Sequence, residues 1–253
     1  MTQIDKAQRF KALHVPGDPV VLYNIWDAGS AKELDAAGAP AIATGSWSVA
    51  AAQGYGDGQK IPLALLLQIT ERITETVESP VTIDFEGGYA EAAEDVTANV
   101  RKLVQAGAVG LNFEDQIVGG SGLYPIGTQA ARIAAVRAAG EAEDVPIVIN
   151  ARTDIFLKAR DPDAHGGFVA EALDRCAAYA EAGADCFFIP GLTEAGLIRQ
   201  ICADSPLPVN VMMRGALSSV EEVAEMGVAR ASFGPGPYAD AMKALKARYL
   251  AAT

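Results

Sequence analysis

Charged and polar side chains alternate with apolar ones near the ends of three short, β-rich segments. These segments read Thr82-Ile83-Asp84-Phe85-Glu86, Asn112-Phe113-Glu114-Asp115 and Asn150-Ala151-Arg152-Thr153-Asp154. Residues two positions apart point to the same face of a β-strand. Asp84 and Glu86 are therefore predicted to share one face, and Arg152 and Asp154 to share another. If these faces meet at one site, carboxylates from adjacent strands converge there.

Converging carboxylates repel one another unless a cation lies between them. Asp84, Glu86 and Glu114 offer only oxygen ligands, which favours Mg²⁺, with Mn²⁺ as the alternative. Mg²⁺ commonly keeps several waters, so coordination positions remain for an anionic substrate. Arg152 beside these acids suits bidentate binding of a carboxylate or phosphonate. The alternative is that Arg152 pairs with Glu114 or Glu86 in an internal ion-pair layer without metal.

Two glycine-rich loops lie close to these segments in the chain. Residues 54–59 read Gly-Tyr-Gly-Asp-Gly-Gln and contribute one more carboxylate, Asp57. Residues 116–125 form a longer loop that is suited either to a mobile lid over a site or to a passive surface turn. The chain has two histidines, His14 and His165, and neither lies at a predicted strand end. Histidine-based acid–base catalysis and Ser–His–Asp triads are therefore disfavoured.

Eight short β-rich runs alternate with longer segments of helical periodicity, which is typical of repeated βα units around a parallel sheet. The predicted strands are residues 20–26, 41–47, 81–86, 110–115, 147–154, 186–191, 208–213 and 230–234. The predicted helices are residues 28–38, 62–79, 91–106, 128–143, 166–183, 193–203, 218–226 and 237–251. Eight units in a chain of 253 residues predict an α/β fold, a (β/α)₈ TIM barrel.

No linker or change in composition divides the chain, so residues 1–253 are predicted to form a single barrel domain. The alternative is an open doubly wound sheet, but Asp27-Ala28-Gly29-Ser30 follows the first strand in place of a GxGxxG motif. Several predicted helices end at a glycine that would stop the helix in a left-handed conformation. These glycines are Gly38, Gly107, Gly140, Gly183 and Gly227, three of them within a repeated Ala-Gly-Ala phrase.

The composition excludes several classes of partner. With 32 acidic and 20 basic residues, the formal net charge is −12, which disfavours nucleic acid and anionic membrane surfaces. The amino terminus lacks an apolar signal region, and no stretch approaches the ~20 apolar residues of a membrane span. We therefore expect a cytoplasmic protein. The three cysteines form no CxxC pair and are expected to be buried thiols.

The chain resembles the isocitrate lyase/phosphoenolpyruvate mutase superfamily from Val20 to its last helix. Four segments carry the resemblance: Asn24-Ile25-Trp26-Asp27-Ala28, Asp84-Phe85-Glu86-Gly87-Gly88-Tyr89, Glu114-Asp115-Gln116 and Asn150-Ala151-Arg152-Thr153-Asp154. The resemblance implies a (β/α)₈ barrel that binds Mg²⁺ and a 2-oxo acid. It also implies cleavage or formation of a C–C or C–P bond beside the carbonyl, through an enolate of pyruvate.

The resemblance implies roles for individual acids and for Arg152. Asp84, Glu86 and Glu114 would hold the metal and its waters, and Asp57 would support that shell. Arg152 would bind and polarise the substrate. The Asp-x-Glu spacing of residues 84 and 86 departs from the usual Asp-x-Asp, and the longer side chain would shift the metal.

The resemblance also implies a set of substrate contacts. Gly45, Ser46 and Trp47 would present hydroxyl and backbone N–H groups to the substrate carboxylate. Asn210 resembles a substrate-contacting asparagine of methylisocitrate lyases, and we place it at the end of the seventh strand. Solvent or Tyr124 would protonate the enolate after bond cleavage.

The loop at residues 116–125 departs from the family pattern. Isocitrate and methylisocitrate lyases carry a Lys-Lys/Arg-Cys-Gly-His motif there, and this loop has no cysteine, lysine or histidine. It also lacks the lysine and asparagine of phosphoenolpyruvate mutase and phosphonopyruvate hydrolase. Phe188-Ile189-Pro190 stands where the mutase has a histidine. These departures disfavour both lyase activities and put C–P chemistry in doubt.

What remains is a Mg²⁺-dependent lyase that cleaves a C–C bond next to the carbonyl of a small 2-oxo acid. Decarboxylation of oxaloacetate fits best, and retro-aldol cleavage is the other form of this reaction. A phosphonopyruvate hydrolase or mutase and a non-catalytic 2-oxo-acid binding protein are the alternatives. The resemblance also implies a homodimer or homotetramer in which the last helix is exchanged between neighbouring subunits. The apolar stripe of residues 237–251 fits such an exchange, and a helix folded on its own barrel would show the same stripe.

Overall fold

Eight short parallel strands form one sheet in the computed structural model, which describes residues 1–253. The strands are β1 (Val20–Leu22), β2 (Ile42–Ala43), β3 (Val81–Asp84), β4 (Gly110–Glu114), β5 (Val148–Arg152), β6 (Cys186–Phe188), β7 (Val209–Met212) and β8 (Arg230–Ser232). Every neighbouring pair from β2 to β8 is hydrogen-bonded in chain order, and β8 pairs with β1. The predicted barrel is confirmed, and the open-sheet alternative is wrong because β1 pairs with β8.

Helices surround this sheet and alternate with the strands. They are α1 (Gln3–Ala12), α2 (Ala28–Ala36), α3 (Ser46–Ala52), α4 (Leu63–Thr76), α5 (Ala93–Gln105), α6 (Ile126–Ala142), α7 (Ile155–Lys158), α8 (Val169–Glu181), α9 (Ala195–Asp204), α10 (Val220–Glu225) and α11 (Gly236–Ala252), with a 3₁₀ helix at Pro162–Phe168. None of these helices combines the length and apolar character that crossing a lipid bilayer requires.

The barrel closes between β1 and β2 through contacts just beyond the two strands. Ile25 and Thr44 form a single parallel bridge, and the Ile25 N–H donates to the Ala43 carbonyl at 2.8 Å. The buried Asn24 side chain reinforces this seam. Its amide donates to the Thr44 carbonyl at 2.7 Å, and its oxygen accepts the N–H groups of Phe233 and Gly234 at 2.8 Å.

The amino-terminal helix α1, which the sequence patterns did not predict, closes the bottom of the barrel. Phe10 is completely buried there, and the Cβ of any larger residue at Gly110 would lie 2.9 Å from its ring. The glycine at the start of β4 is therefore what lets the Phe10 ring approach the strand. The patterns of the sequence missed α1 because it precedes the first βα unit.

Glycine caps end most helices where the sequence predicts them. Gly38, Gly107, Gly183 and Gly227 have φ between 87° and 99°, a left-handed conformation that favours glycine. The prediction that Gly140 stops α6 was wrong, because the helix continues to Ala142. An added Cβ at Gly140 would lie 2.9 Å from the Val145 carbonyl oxygen, so this glycine allows a close approach of the following chain.

The last helix, α11, lies largely in solvent. Pro237 is its one buried residue, whereas Leu245, Tyr249 and Leu250 are each more than 60% exposed. Edge-on contacts of Tyr238 with Trp26 and Trp47 anchor the first turn of α11 to the barrel. The alternative of a helix folded along its own barrel is therefore wrong for the second half of α11, because these apolar side chains are mostly exposed.

The hydrogen bonds of Asn24 between β1 and β2 predict that a variant without this side chain is less stable. Asn24→Ala removes one buried donor and one buried acceptor. It takes a partner from three backbone groups, of which the Phe233 N–H keeps a longer bond to the Leu22 carbonyl at 3.3 Å, so the free energy of unfolding should fall by about 2–4 kcal/mol. Urea unfolding followed by circular dichroism measures this change. The control is Gln68→Ala on the exposed face of α4, which should stay within about 0.5 kcal/mol of wild type. Equal stabilities for the two variants would show that the seam does not depend on Asn24.

Candidate active site

A cavity of about 380 Å³ opens at the carboxyl ends of the strands, where active sites of barrels lie. Six of the residues singled out in the sequence line it, namely Gly45, Ser46, Trp47, Asp57, Asp84 and Arg152. Glu86, Glu114, Asn210 and Tyr124 are not among its lining residues.

Asp84 is the buried carboxylate of the cavity. β3 ends at this residue, and its Oδ2 accepts the backbone N–H of Ser46, the first residue of α3, at 3.0 Å. Its other oxygen, Oδ1, is buried without a hydrogen-bond partner. A buried acceptor without a partner carries a free-energy cost of about 1–3 kcal/mol. Asp84 Oδ1 is therefore the atom of this site that most needs a ligand.

Arg152 is the single cation that lines the cavity, at the end of β5. Its Nε and Nη2 donate to the two oxygens of Asp154 at 2.6 and 3.0 Å, and Nη1 lies 3.0 Å from Oε2 of Glu114. The internal ion pair that the sequence left as an alternative is therefore present. These contacts use three of the five N–H donors of a guanidinium, so two remain for a ligand.

The electrostatics around Arg152 keep it charged. Burial lowers the pKa of its guanidinium, but the carboxylates of Asp154, Glu114 and Asp84 raise it, and the net pKa lies well above the ordinary value. Asp154 is itself held in place, because its N–H donates to Asp115 Oδ1 at 2.9 Å. Arg152 is thus a rigid positive group at the cavity wall.

Glu114 lies behind Arg152 at the end of β4. Besides Arg152, it accepts a hydrogen bond from Gln116 Nε2 at 3.1 Å. Burial raises the pKa of its carboxyl to about 8, because the favourable effect of Arg152 is outweighed by burial together with Asp154, Asp84 and Glu86. The site therefore holds more negative charge than Arg152 neutralises.

Glu86 does not continue β3 as the sequence predicts. The strand ends at Asp84, and Glu86 has a left-handed φ of 50° in the turn that follows. The prediction of a shared strand face was therefore wrong, although the two carboxylates remain close enough for Asp84 to raise the pKa of Glu86. Burial is the larger cause, and together they raise this pKa to about 8. Glu86 Oε2 accepts the N–H of Gln59 at 2.8 Å.

Asp57 lies in the loop between α3 and α4, at the exposed mouth of the cavity. Partial burial and the nearby Asp84 raise the pKa of its carboxyl above the ordinary value. The loop is tied to the acidic cluster by the bond from Gln59 to Glu86. Asp57 is therefore a protonatable group between the cavity and solvent.

The donor set of the site fits a magnesium ion better than a softer metal. It consists of carboxylates, one of which has an unpartnered buried oxygen, Asp84 Oδ1. No three acidic, histidine or cysteine side chains are arranged to ligate one ion directly. Mg²⁺ commonly takes one or two protein carboxylates and completes its shell with water. Asp84 fits the direct ligand, and Glu86 and Glu114 fit partners of the bound waters.

Gly45 precedes α3, and Ser46 and Trp47 begin this helix at the edge of the cavity. Gly45 and Ser46 line it, but the Ser46 N–H is already bonded to Asp84. Trp47 is 40% exposed, and its ring contacts Tyr238 at the start of α11. The interpretation of Trp47 as a wall of the pocket is therefore favoured over a core aromatic.

Asn210 lies one layer below the cavity, and its predicted place at the end of β7 was wrong. It is the second residue of β7, completely buried, and accepts the hydroxyl of Ser232 at 3.2 Å. Met212 occupies the strand end and lines the cavity instead. Asn210 thus belongs to a polar layer inside the barrel, together with Asn112 and the buried Arg230.

Tyr124 lies outside the cavity. It lines a separate pocket of about 170 Å³, and the guanidinium of Arg132 lies 4.1 Å from its ring centroid. Its backbone N–H donates to the Asp115 carbonyl at 2.8 Å. The loop that carries it is a turn closed by a bridge between Gln116 and Leu123. The structure does not bring Tyr124 to the place where an enolate would need a proton.

The opposite side of the cavity is apolar, and sequence reasoning did not assign it a role. Phe188 and Pro190 come from β6 and the residues after it, Met212 from β7 and Leu157 from α7. Their position at the ends of later strands was the available signal. Apolar residues at strand ends do not stand out in the sequence, because the core positions of the same strands are apolar too.

Comparison with known sequences gives one consistent family. A family model described as phosphoenolpyruvate phosphomutase matches residues 10–252. The 2-methylisocitrate lyase of Escherichia coli K12 is 30% identical over 234 residues, which cover 88% of this chain and 76% of that protein. The oxaloacetate decarboxylase of Rhodopseudomonas palustris is 28% identical, covering 88% of this chain and 76% of that protein.

Solved structures share the fold over almost the whole chain. A crystal structure from Burkholderia cenocepacia J2315, provisionally assigned as a phosphonomutase, has a TM-score of 0.96 and 45% identity, covering 100% of both chains. A phosphonopyruvate hydrolase in complex with oxalate and Mg²⁺ has a TM-score of 0.85 and 22% identity. That match covers 97% of this chain and 86% of the other. At that identity the second likeness supports the fold alone.

The raised pKa values of Glu86 and Glu114 predict the pH dependence of stability without metal. With pKa values of about 8 in the folded protein and 4.5 ordinarily, the folded state binds more protons than the unfolded chain between these pH values. Stability should therefore fall as the pH rises from 5.5 to 8, and Mg²⁺ should restore part of it at pH 8. Thermal unfolding at both pH values, in EDTA and in Mg²⁺, measures this.

Glu114→Gln should reduce this pH dependence, because the amide does not ionise. Glu225→Gln is the matched control, since Glu225 is exposed on α10. Wild-type protein that becomes more stable towards pH 8 in EDTA would contradict the raised pKa values.

Proposed function

The chain belongs to the phosphoenolpyruvate phosphomutase family, and from that premise we propose that it is a Mg²⁺-dependent lyase. The bond that it cleaves is a C–C bond next to the carbonyl of a small 2-oxo acid. Two forms of the reaction fit the site, the decarboxylation of oxaloacetate and retro-aldol cleavage. Both form an enolate of pyruvate, or of a close homologue of pyruvate.

The observation that carries this proposal is that Asp84 and Arg152, at the ends of β3 and β5, both line one cavity. An acid with a free buried oxygen faces it beside a guanidinium with two free donors. The residues lining the cavity include no histidine, lysine or cysteine that could act as a nucleophile or Schiff base. Stabilisation of negative charge on a ligand oxygen is therefore the chemistry for which this site is equipped.

In decarboxylation, the C3–C4 bond of oxaloacetate breaks and its electron pair moves to C3, forming the pyruvate enolate and CO₂. Arg152 donates to the oxygen on which the enolate charge develops, and its pairing with Asp154 keeps its position fixed. A proton then adds to C3. Asp57 at the mouth would pass that proton from solvent.

The bound Mg²⁺ would supply electron withdrawal at the substrate carbonyl. Asp84 would hold the ion, while Glu86 and Glu114 would orient its waters and Mn²⁺ would be tolerated as a substitute. Gly45, Ser46 and Trp47 form the edge against which the substrate carboxylate would lie. Asn210 does not reach the cavity. It would instead position the hydroxyl of Ser232, which lines the cavity.

Two other functions retain support. The structural match to the provisionally assigned phosphonomutase favours C–P bond hydrolysis or rearrangement of phosphonopyruvate as a second candidate. The loop at residues 116–125 carries no cysteine, lysine or histidine and stays outside the cavity, which favours a 2-oxo-acid binding protein without turnover as a third.

The exposed half of α11 supports a homodimer or homotetramer. Leu245, Tyr249 and Leu250 are exposed on one helix that extends away from its own barrel. A second copy of this chain would bury these side chains if the two helices were exchanged. This arrangement agrees with the family resemblance.

The lyase proposal predicts turnover that depends on Asp84 and Arg152. With Mg²⁺, the protein should release pyruvate or its homologue from oxaloacetate or from a 4-hydroxy-2-oxo acid, as measured by coupled lactate dehydrogenase. Arg152→Ala and Asp84→Asn should each lower kcat/KM by at least ~100-fold. Arg199→Ala, at an exposed position on α9, is the matched control and should leave kcat/KM unchanged.

Other outcomes separate the three candidates. Phosphate release from phosphonopyruvate would favour the C–P function. A rise in melting temperature with 2-oxo acids, without any product, would favour the binding protein. Turnover that survives both Arg152→Ala and Asp84→Asn would contradict the proposed site.

The oligomer proposal predicts a change of mass. Wild-type protein should elute as a dimer or tetramer in size-exclusion chromatography with light scattering. The double variant Leu245→Glu and Tyr249→Glu should shift towards the monomer, because burying two carboxylates in an apolar interface is costly. Lys243→Glu and Lys246→Glu on the same helix serve as the charge control. A monomeric wild-type protein would refute the proposal.

A further inference from the structure

The cavity is divided into a polar side and an apolar side, and the two sides come from different strands. Asp84 and Arg152 at the ends of β3 and β5, with Asn112 in the middle of β4, form the polar side. The other side is the apolar wall, which we define as Leu157, Phe188, Pro190 and Met212. Phe188 and Pro190 are buried, and Leu157 and Met212 are half-buried.

The apolar wall has no charge that could receive an anion. Arg152 is the one cation among the lining residues, and it is bound to Asp154 and Glu114 on the polar side. Asp57, at the mouth, would repel a second carboxylate. A carboxylate placed against the apolar wall would lose its hydration without gaining a partner.

The position of the 2-oxo acid head determines which part of the substrate contacts the apolar wall. If the 2-oxo acid head lies between Asp84 and Arg152, as the proposed function requires, the rest of the carbon chain extends across the cavity. The volume of about 380 Å³ leaves space beyond a pyruvate-sized head. The chain beyond C3 therefore meets Leu157, Phe188, Pro190 and Met212.

We infer that the substrate carries an uncharged, apolar group beyond C3, and that the apolar wall selects it over a second carboxylate. This inference rests on the proposed function and chooses between its two forms. It favours 4-hydroxy-2-oxo acids with a short alkyl or aryl group on C4 over oxaloacetate.

The corresponding reaction is a balanced retro-aldol cleavage. The C3–C4 bond breaks, and its electron pair moves to C3 to form the pyruvate enolate. The C4 hydroxyl loses its proton, and C4 becomes the carbonyl carbon of an apolar aldehyde. One proton then adds to C3, so the products are pyruvate and the aldehyde, with no change in oxidation state overall.

Two unreactive ligands of the same shape test the inference without any turnover. 2-Oxoglutarate ends in a carboxylate, and in 5-methyl-2-oxohexanoate an isopropyl group replaces that carboxylate. Isothermal titration in Mg²⁺ should give a Kd at least ~10-fold lower for the alkyl compound. Shortening the alkyl chain by one CH₂ at a time should raise its Kd by about 4-fold per step.

Charge placed on the apolar wall should reverse this preference. Met212→Arg puts a long cationic side chain at the end of β7, so 2-oxoglutarate should then bind more tightly than the alkyl compound. Met212→Gln controls for the loss of the apolar side chain, and Ile4→Arg, on the exposed face of α1 at the far end of the barrel, controls for added charge. Leu157→Arg is the second variant if Met212→Arg does not fold.

The possible results distinguish failure of the inference from failure of the lyase proposal. Equal affinity for the two ligands, or tighter binding of 2-oxoglutarate by wild type, would overturn the inference while leaving the lyase proposal intact. Failure of both ligands to bind in Mg²⁺ would overturn the lyase proposal and the inference together. Preference for the alkyl ligand with reversal in Met212→Arg is the expected result.

Discussion

Four buried carboxylates surround one guanidinium at the carboxyl end of the barrel, and much of the local structure follows from that imbalance. Asp154 and Glu114 bind Arg152 directly, whereas Asp84 and Glu86 have no cationic partner. Burial raises the pKa values of Glu86 and Glu114 to about 8, so part of the excess charge is relieved by protonation. A divalent cation beside Asp84 would instead neutralise the excess negative charge directly, and the carboxylates would stay ionised.

A second buried guanidinium, that of Arg230, lies inside the barrel beneath the acidic cluster. Arg230, the first residue of β8, is completely buried, donates to Asn112 at 3.0 Å and has one nitrogen without a partner. Burial lowers the pKa of its guanidinium to about 10, so it remains a cation at neutral pH. Asn112 also accepts from Asn150 at 2.8 Å and lines the cavity. The floor of the site is thus held by a buried positive charge that pairs with no acid.

The sequence predicted those parts of the site that follow from strand periodicity. Asp84, Glu114 and Arg152 lie at strand ends, and the strands that carry them are adjacent in the barrel. Glu86 could not be placed from the pattern, because a left-handed backbone at that residue ends the strand alternation. Asn210 was misplaced although the predicted strand 208–213 nearly matches β7, because both ranges make it an inner residue and only the family resemblance suggested a place at the substrate.

Other features were beyond the sequence because they depend on contacts distant in the chain. Tyr124 packs against Arg132, and this stacking removes it from the cavity. Phe10 closes the bottom of the barrel only because Gly110 lies opposite.

The excess negative charge at Asp84 should bind a divalent cation. Titration of Mn²⁺ into wild-type protein, followed by electron paramagnetic resonance at pH 8, measures this binding. We expect one site per chain in wild type and loss of that site in Asp84→Asn. Equal Mn²⁺ binding by the two proteins, or none by wild type, would contradict this expectation.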